Sequence, residues 1–101
     1  MATRLDLHEE LCKILGNRNV YFQPPASVKM NYPAIVYTRS DIDNTFANNS
    51  VYGQTRSYEI TVIDKNPDSK IVDTISLFPR IRYDRHFVSD NLNHDVFTLI
   101  Y

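Results

Sequence analysis

Three histidines, His8, His86 and His94, and a single cysteine, Cys12, are the side chains with which this chain could begin metal or nucleophilic chemistry. His86 and His94 can lie across a hairpin from each other, with Asp84, Asp90 and Asp95 nearby. A zinc or similar ion needs three or four convergent ligands in a defined geometry. Hairpin neighbours supply two or three of them at most, so a polar hairpin tip is expected there. Its Asp90-Asn91 and Asn93 would make turn hydrogen bonds, and no metal is expected. Cys12 falls on an apolar helical stripe and is expected to be a small core residue, since a catalytic thiolate needs an electropositive, partly open setting. One cysteine also leaves no internal disulfide and no multi-cysteine zinc site.

Pro67-Asp68 could open a magnesium-nuclease motif. No strand carrying an acid, a spacer and a lysine follows it, and Asp68 is better explained as a helix-capping charge. No glycine-bracketed serine, phosphate loop or pair of acids in tuned surroundings is present. With only two glycines in the chain, phosphate-cradling loops are disfavoured. No catalytic residue and no cofactor are expected. Arg80, Arg82, Arg85 and His86 form a local basic cluster, interrupted by Asp84, Asp90 and Asp95. The net charge of −1 supplies no field to draw in nucleic acid. These arginines are expected in inter-subunit or solvated salt bridges, without sequence-specific nucleic-acid binding.

The elements that position these groups are organised around Arg56 to Phe78. Tyr58, Ile60 and Val62 alternate with Ser57, Glu59 and Thr61, the period of a strand with one buried face. Past Asp64, Ile71, Val72, Ile75 and Phe78 recur at helical spacing. Asn66-Pro67 between them predicts a helix start, with Asn66 as N-cap and Pro67 at the first helical position. Upstream, Thr3 to Leu15 is a first helix with Leu5, His8, Leu11, Cys12 and Leu15 on one face. Thr3 and Asp6 make a capping box, and Gly16 is the stop. Val20-Tyr21-Phe22 is a short strand ended by Pro24-Pro25, and Ala34 to Ser40 is a β-rich strand opened by Tyr32-Pro33. Pro79 stops the second helix. Arg80 to Val88 is a strand marked by Ile81, Tyr83 and Phe87, with Arg82, Asp84 and His86 facing the other way. Ser89-Asp90-Asn91 is a tight turn, and Val96 to Tyr101 closes the chain as a strand. Tyr101 is expected either stitched into the sheet or pressed against a neighbouring subunit. Together these elements predict an α+β fold: a twisted, mainly antiparallel sheet of four to five strands with two helices packed on it.

Asp41 to Gly53 is read as a long loop between two antiparallel strands, about three times the usual hairpin length. It is polar and Asn-rich, yet it carries Ile42, Phe46, Val51 and Tyr52. Either these residues fold back over the sheet edge or the loop orders against a partner, with Ile42, Phe46, Asn48, Asn49, Val51 and Tyr52 as the contact set.

A chain of 101 residues is expected to be one domain, 1–101, with one modest core. No apolar run approaches the roughly 20 residues of a membrane span, and the start of the chain lacks the apolar middle of a signal peptide. Synthesis and use in a reducing cytosol are expected, so that Asn48-Asn49-Ser50 carries no weight as a glycosylation acceptor. Seven tyrosines and five phenylalanines make the chain aromatic-rich, and some of these rings are expected to meet partners.

In this order of elements the chain resembles the small tail-completion proteins of long-tailed bacteriophages, the tail-terminator and head–tail joining group. The resemblance rests on the short amphipathic first helix, Tyr32-Pro33-Ala34-Ile35-Val36-Tyr37 and the polar segment after it. It continues through Tyr58-Glu59-Ile60-Thr61-Val62-Ile63-Asp64 with Pro67-Asp68-Ser69, and Asp90-Asn91-Leu92-Asn93-His94-Asp95-Val96-Phe97. It implies a structural virion protein of the neck or tail top, made in the host cytoplasm. Such a protein forms a homo-oligomeric ring, usually hexameric, that ends the tail tube and joins it to the head connector. Its partners would be the tail-tube protein and a head-completion or connector protein, with no membrane. The basic cluster Arg80, Arg82 and Arg85, together with Phe97 and Tyr101 of the last strand, would then lie between subunits. A head-closure or stopper role beneath the portal is the alternative within the same group, and a small metal-dependent nuclease is the alternative from another class.

Overall fold

The computed structural model describes residues 3–47 and 50–101, and of these the side chains of all but 41, 43–47 and 50–54. The chain folds as helix α1 (Arg4–Leu15), strands β1 (Val20–Phe22), β2 (Ala34–Ala47) and β3 (Ser50–Asp64), helix α2 (Lys70–Ile75), and strands β4 (Ile81–Ser89) and β5 (Leu92–Ile100). The five strands form one open sheet in the order β1-β2-β3-β5-β4. Among the described residues only the β1–β2 pair is parallel. This is an α+β fold with two helices on a mainly antiparallel sheet, as the sequence predicts. No helix among the described residues is long and apolar enough to cross a membrane.

The core forms where the alternating faces of the strands meet the helices. Ile35 and Tyr37 on β2, Tyr58, Ile60 and Val62 on β3, and Phe97 and Leu99 on β5 are all buried, with Leu7, Leu11, Cys12 and Leu15 of α1 and Ile75 of α2 against them. The register aligns these rows, pairing Tyr37 with Ile60 and Ile60 with Phe97. Each large aliphatic or aromatic side chain removed from water here contributes about 1.5–3 kcal/mol. Cys12 is buried in this cluster, and burial pushes its thiol pKa up. That is the inert setting expected from its place on the helix.

Helix α1 starts where the sequence places it. The Thr3 hydroxyl accepts from the Asp6 amide at 3.2 Å, and the Asp6 carboxylate accepts from the Thr3 amide at 2.9 Å. Gly16 ends the helix at φ 83°, left-handed backbone that glycine adopts without strain, and its N–H reaches the Cys12 carbonyl at 2.9 Å. The buried stripe is shifted from the expected one. Leu5 is 64% exposed and Leu7 is fully buried. The helix crosses the sheet on its Leu7–Leu11–Leu15 side, a four-residue spacing that leaves Leu5 on the outer flank.

Helix α2 is shorter than expected. Asn66 caps a turn rather than a helix: its side chain accepts from the Asp68 amide at 3.0 Å, while Asp64 accepts from the Asn66 amide at 3.1 Å. Ser69 is the N-cap, bonding the Ile71 amide at 3.3 Å. Two successive side-chain-to-backbone turns therefore use up the residues assigned to the first helical turn. The helix stops at Ile75, before Pro79. Leu77 and Phe78 tighten onto the carbonyls of Thr74 and Ile75, which still leaves Phe78 packed against the core.

Candidate functional site

Asp41 to Gly53 is not a loop. Residues Asp41 to Ala47 continue β2 and residues Ser50 to Gly53 belong to β3, in register from Asp41↔Ser57 to Ala47↔Ser50. The correction has a physical basis: Ile42, Thr45, Phe46, Val51, Tyr52 and Thr55 are β-branched or aromatic types that suit a pleated ribbon, and Asn and Asp among them obscured that pattern. Two register shifts, between Arg39 and Asp41 and between Thr45 and Phe46, interrupt the pairing and raise the local twist.

The ribbon outruns the rest of the sheet. On one side β1 pairs with β2 only from Ile35 to Tyr37, extended by the Gln23 amide on the Tyr37 carbonyl and the Gln23 side chain on the Arg39 amide. On the other side β5 pairs with β3 from Ser57 to Asp64, and the Tyr101 amide bonds the Arg56 carbonyl at 3.0 Å. Beyond these points each strand of the hairpin has the other as its strand neighbour among the described residues. At roughly 3.3 Å per residue the arm from Asp41 to Ala47 projects about 20 Å, and the molecule measures 52 × 27 × 23 Å. Ile42 sits at the base of the arm as the register partner of Arg56, and its side chain is exposed. Phe46 pairs with Val51 across the ribbon. The side chains of Phe46, Val51 and Tyr52, and all of Asn48 and Asn49, lie outside the described residues.

At the opposite edge of the sheet lies β4. Every residue of it after Ile81 is exposed, including Phe87 and Val88. A bulge between Tyr83 and Arg85 sets two residues of β4 against one of β5 and changes which side chains share a face. Tyr83, His86 and Val88 face the helical side through their partners Phe97, Asp95 and Asn93, whereas Arg85 and Phe87 lie opposite Val96 and His94 on the other side. The simple alternation expected along Arg80 to Val88 therefore fails at Asp84. His86 and His94 end on opposite faces: His86 Nε2 is 3.1 Å from the Asn93 side-chain oxygen, and His94 stacks on Phe87 with centroids 4.6 Å apart. Among the described residues no group of three or more His, Cys, Asp or Glu is placed to hold a metal ion.

The basic cluster lies on and beside β4. Arg80 precedes the strand at φ 62°, and its carbonyl accepts from the Ile100 amide at 3.2 Å. Arg82 donates to Asp84 at 2.8 Å with its own side chain largely in solvent. The Asp84 carboxylate also accepts from the Thr98 hydroxyl at 2.5 Å, and this bond, assisted by Arg82, holds its pKa below the ordinary range. Arg85 lies 5.9 Å over the Phe87 ring. Tyr83 donates to Asp95 at 2.7 Å, and that bond, with some burial, pushes the phenol up to about 12.

The two residues of the last strand expected between subunits both make contacts within their own chain. Phe97 is 0% exposed and packs edge-on against Tyr83 at 5.1 Å, so it belongs to the subunit's own core. The alternation of β5 turns it inward with Leu99. Tyr101 is stitched into its own sheet through its amide, and its hydroxyl donates to Glu10 of α1 at 3.1 Å. Burial, followed by that bond, pushes its pKa up to about 12.

One cluster escaped sequence reasoning. Tyr37 is fully buried, with its hydroxyl 2.8 Å from His8 Nδ1 and accepting from Arg4 at 3.1 Å, while the Arg4 guanidinium lies 4.4 Å over the Phe22 ring. The period-two placement of Tyr37 opposite Ile60 was the available signal. A buried phenol needs a polar partner, and α1 supplies two. A shallow groove of about 390 Å³ lies between Glu10, Lys13 and Ile14 of α1 and Thr74, Leu77, Phe78 and Pro79 after α2. Its ionisable groups are Glu10, which accepts from Tyr101, and Lys13. No protein-family model matches the chain, and the search of curated proteins found no significant sequence similarity.

Proposed function

We propose that the protein works by contact, as a self-associating structural subunit of the tail-terminator or head–tail joining kind. The observation that carries this reading is the projecting hairpin arm, a ribbon from Asp41 to Arg56 that no other strand of the described chain supports. A two-stranded ribbon standing alone in water is marginally stable, and such an arm is suited to ordering against another subunit. The open edge of β4 is a second surface of different chemistry on the same subunit. Two unlike surfaces are what a closed ring requires, because each contact in a ring joins different patches of successive copies. The bacteriophage assignment itself comes from the sequence resemblance, and the arm and edge are compatible with it.

The experiment is imaging of the purified protein alone and with tail tubes, together with light scattering over a range of concentrations. Rings capping one end of each tube are expected. A species that stays monomeric at high concentration, and does not bind tubes, would overturn the reading. Particles lacking the protein separate the two neck positions: overlong or unjoined tails mark a terminator, and DNA-leaking heads mark a stopper.

A further inference from the structure

We propose that the hairpin arm of one copy docks along the β4 edge of the next copy, extending that copy's sheet by strand addition. This rests on the self-associating role proposed above and identifies the surfaces that make the contact.

Three observations carry it. On its outer side the arm's β2 strand has no strand neighbour beyond Arg39 among the described residues, since β1 and the Gln23 side chain pair with it only that far. β4 has an open outer edge from Ile81 to Ser89, since it terminates the strand order. Strand edges of this kind are templates for pairing with another chain. The two differ in charge. Along the docking strand itself, from Ser40 to Ala47, the sequence contains Asp41 and Asp43 and no base, with Arg56 across from them on β3, whereas from Arg80 to His86 it contains Arg80, Arg82 and Arg85 against the single acid Asp84. Arm against arm would set acid beside acid, and edge against edge would set base beside base. Only arm against edge brings opposite signs together, and that is a contact between unlike patches.

Within β4 the bulge at Asp84 divides the edge. Bulges and charges blunt an edge against indiscriminate pairing. The segment past it, from Arg85 to Ser89, remains regularly paired to β5 and carries the exposed Phe87 and the 60% exposed Val88. That segment is the apolar centre of the docking strip, with Arg82 and Arg85 at its charged end. Asp41 and Asp43 stand at register positions near the base of the arm, so the two charged ends are brought together when the arm lies along β4.

The test is a charge exchange. Asp41→Lys with Asp43→Lys reverses the arm, Arg82→Glu with Arg85→Glu reverses the edge, and a third protein carries all four changes. Assembly is measured by analytical ultracentrifugation at two salt concentrations, with thermal unfolding of each protein as the check on folding. Each reversed pair is expected to weaken association about tenfold or more, and the fourfold variant to recover most of it. An added variant with the arm replaced by a short turn linking Ser40 to Ser57 is expected to be folded and monomeric. Assembly of that armless protein like the parent, or no recovery in the fourfold variant, overturns the docking while leaving the structural role standing. Recovery by the fourfold variant with open filaments that ignore tail tubes would support the docking and defeat the terminator reading.

Discussion

The Nδ1 atom of His8, on α1, lies 2.8 Å from the phenolic oxygen of Tyr37 in the middle of β2. Arg4, one helical turn earlier, donates to the same oxygen. With Arg4 donating in, the hydroxyl is free to give its own proton to an unprotonated Nδ1 of a neutral His8. A protonated His8 would set two cationic donors against one oxygen. The helix is thereby tied to the sheet by a bond with a preferred protonation state.

Acidification should loosen that tie. Burial, with Arg18 and Arg4 nearby, holds the His8 pKa below its ordinary 6.5. The unfolded chain then binds this proton more readily, so stability rises with pH across the window. The contribution is complete above 6.5 and is lost as pH falls through the lower folded value. Urea unfolding between neutral and mildly acidic pH should show the slope, and His8→Asn should remove that part of it. An unchanged slope in the variant would remove His8 as its source.

Tyr37→Phe deletes the shared hydroxyl and leaves the Arg4 guanidinium and the His8 ring nitrogen to find water. A loss of about 1 kcal/mol is expected by chemical denaturation, with assembly unaffected.

Phe97→Ala should lower stability by about 3–5 kcal/mol, the range for emptying a fully buried aromatic site. The ring is 0% exposed. Normal stability with lost association would return Phe97 to an interface.

Tyr83 should resist ionisation. Its bond to Asp95 raises the phenol from 10.0 to about 12. Because the folded value is the higher one, the stabilisation is complete below pH 10.0 and disappears as pH rises through about 12. Ultraviolet titration of the parent against Asp95→Asn should show one tyrosine titrating earlier in the variant.

The β4–β5 turn makes a backbone prediction. Asp90 and Asn91 lie at φ 53° and 63°, the left-handed pair of a two-residue hairpin turn. Asn91→Gly should be neutral or stabilising by up to about 1 kcal/mol, and Asn91→Val should lose about 1–2 kcal/mol. Thermal unfolding reads both.

Local chemistry alone determined much of this protein. The Thr3–Asp6 box and Gly16 bracket α1, the alternation Tyr58-Ile60-Val62 marks the central strand, and Asp90-Asn91 names its turn, because each signal acts within a few residues. Period and capping suffice for such elements, and with them the α+β class. Tertiary structure decided the rest. Whether Leu5 or Leu7 faces inward depends on how α1 crosses the sheet, and whether Phe97 meets its own core or a neighbour depends on which face α1 and α2 cover. The residues from Asp41 to Gly53 look like a loop because five of the thirteen are Asn or Asp, yet the described ones pair across a hairpin, from Ala47↔Ser50 to Asp41↔Ser57, as a ribbon. Pairing is a property of two segments together, and the residue types of either one alone do not show it.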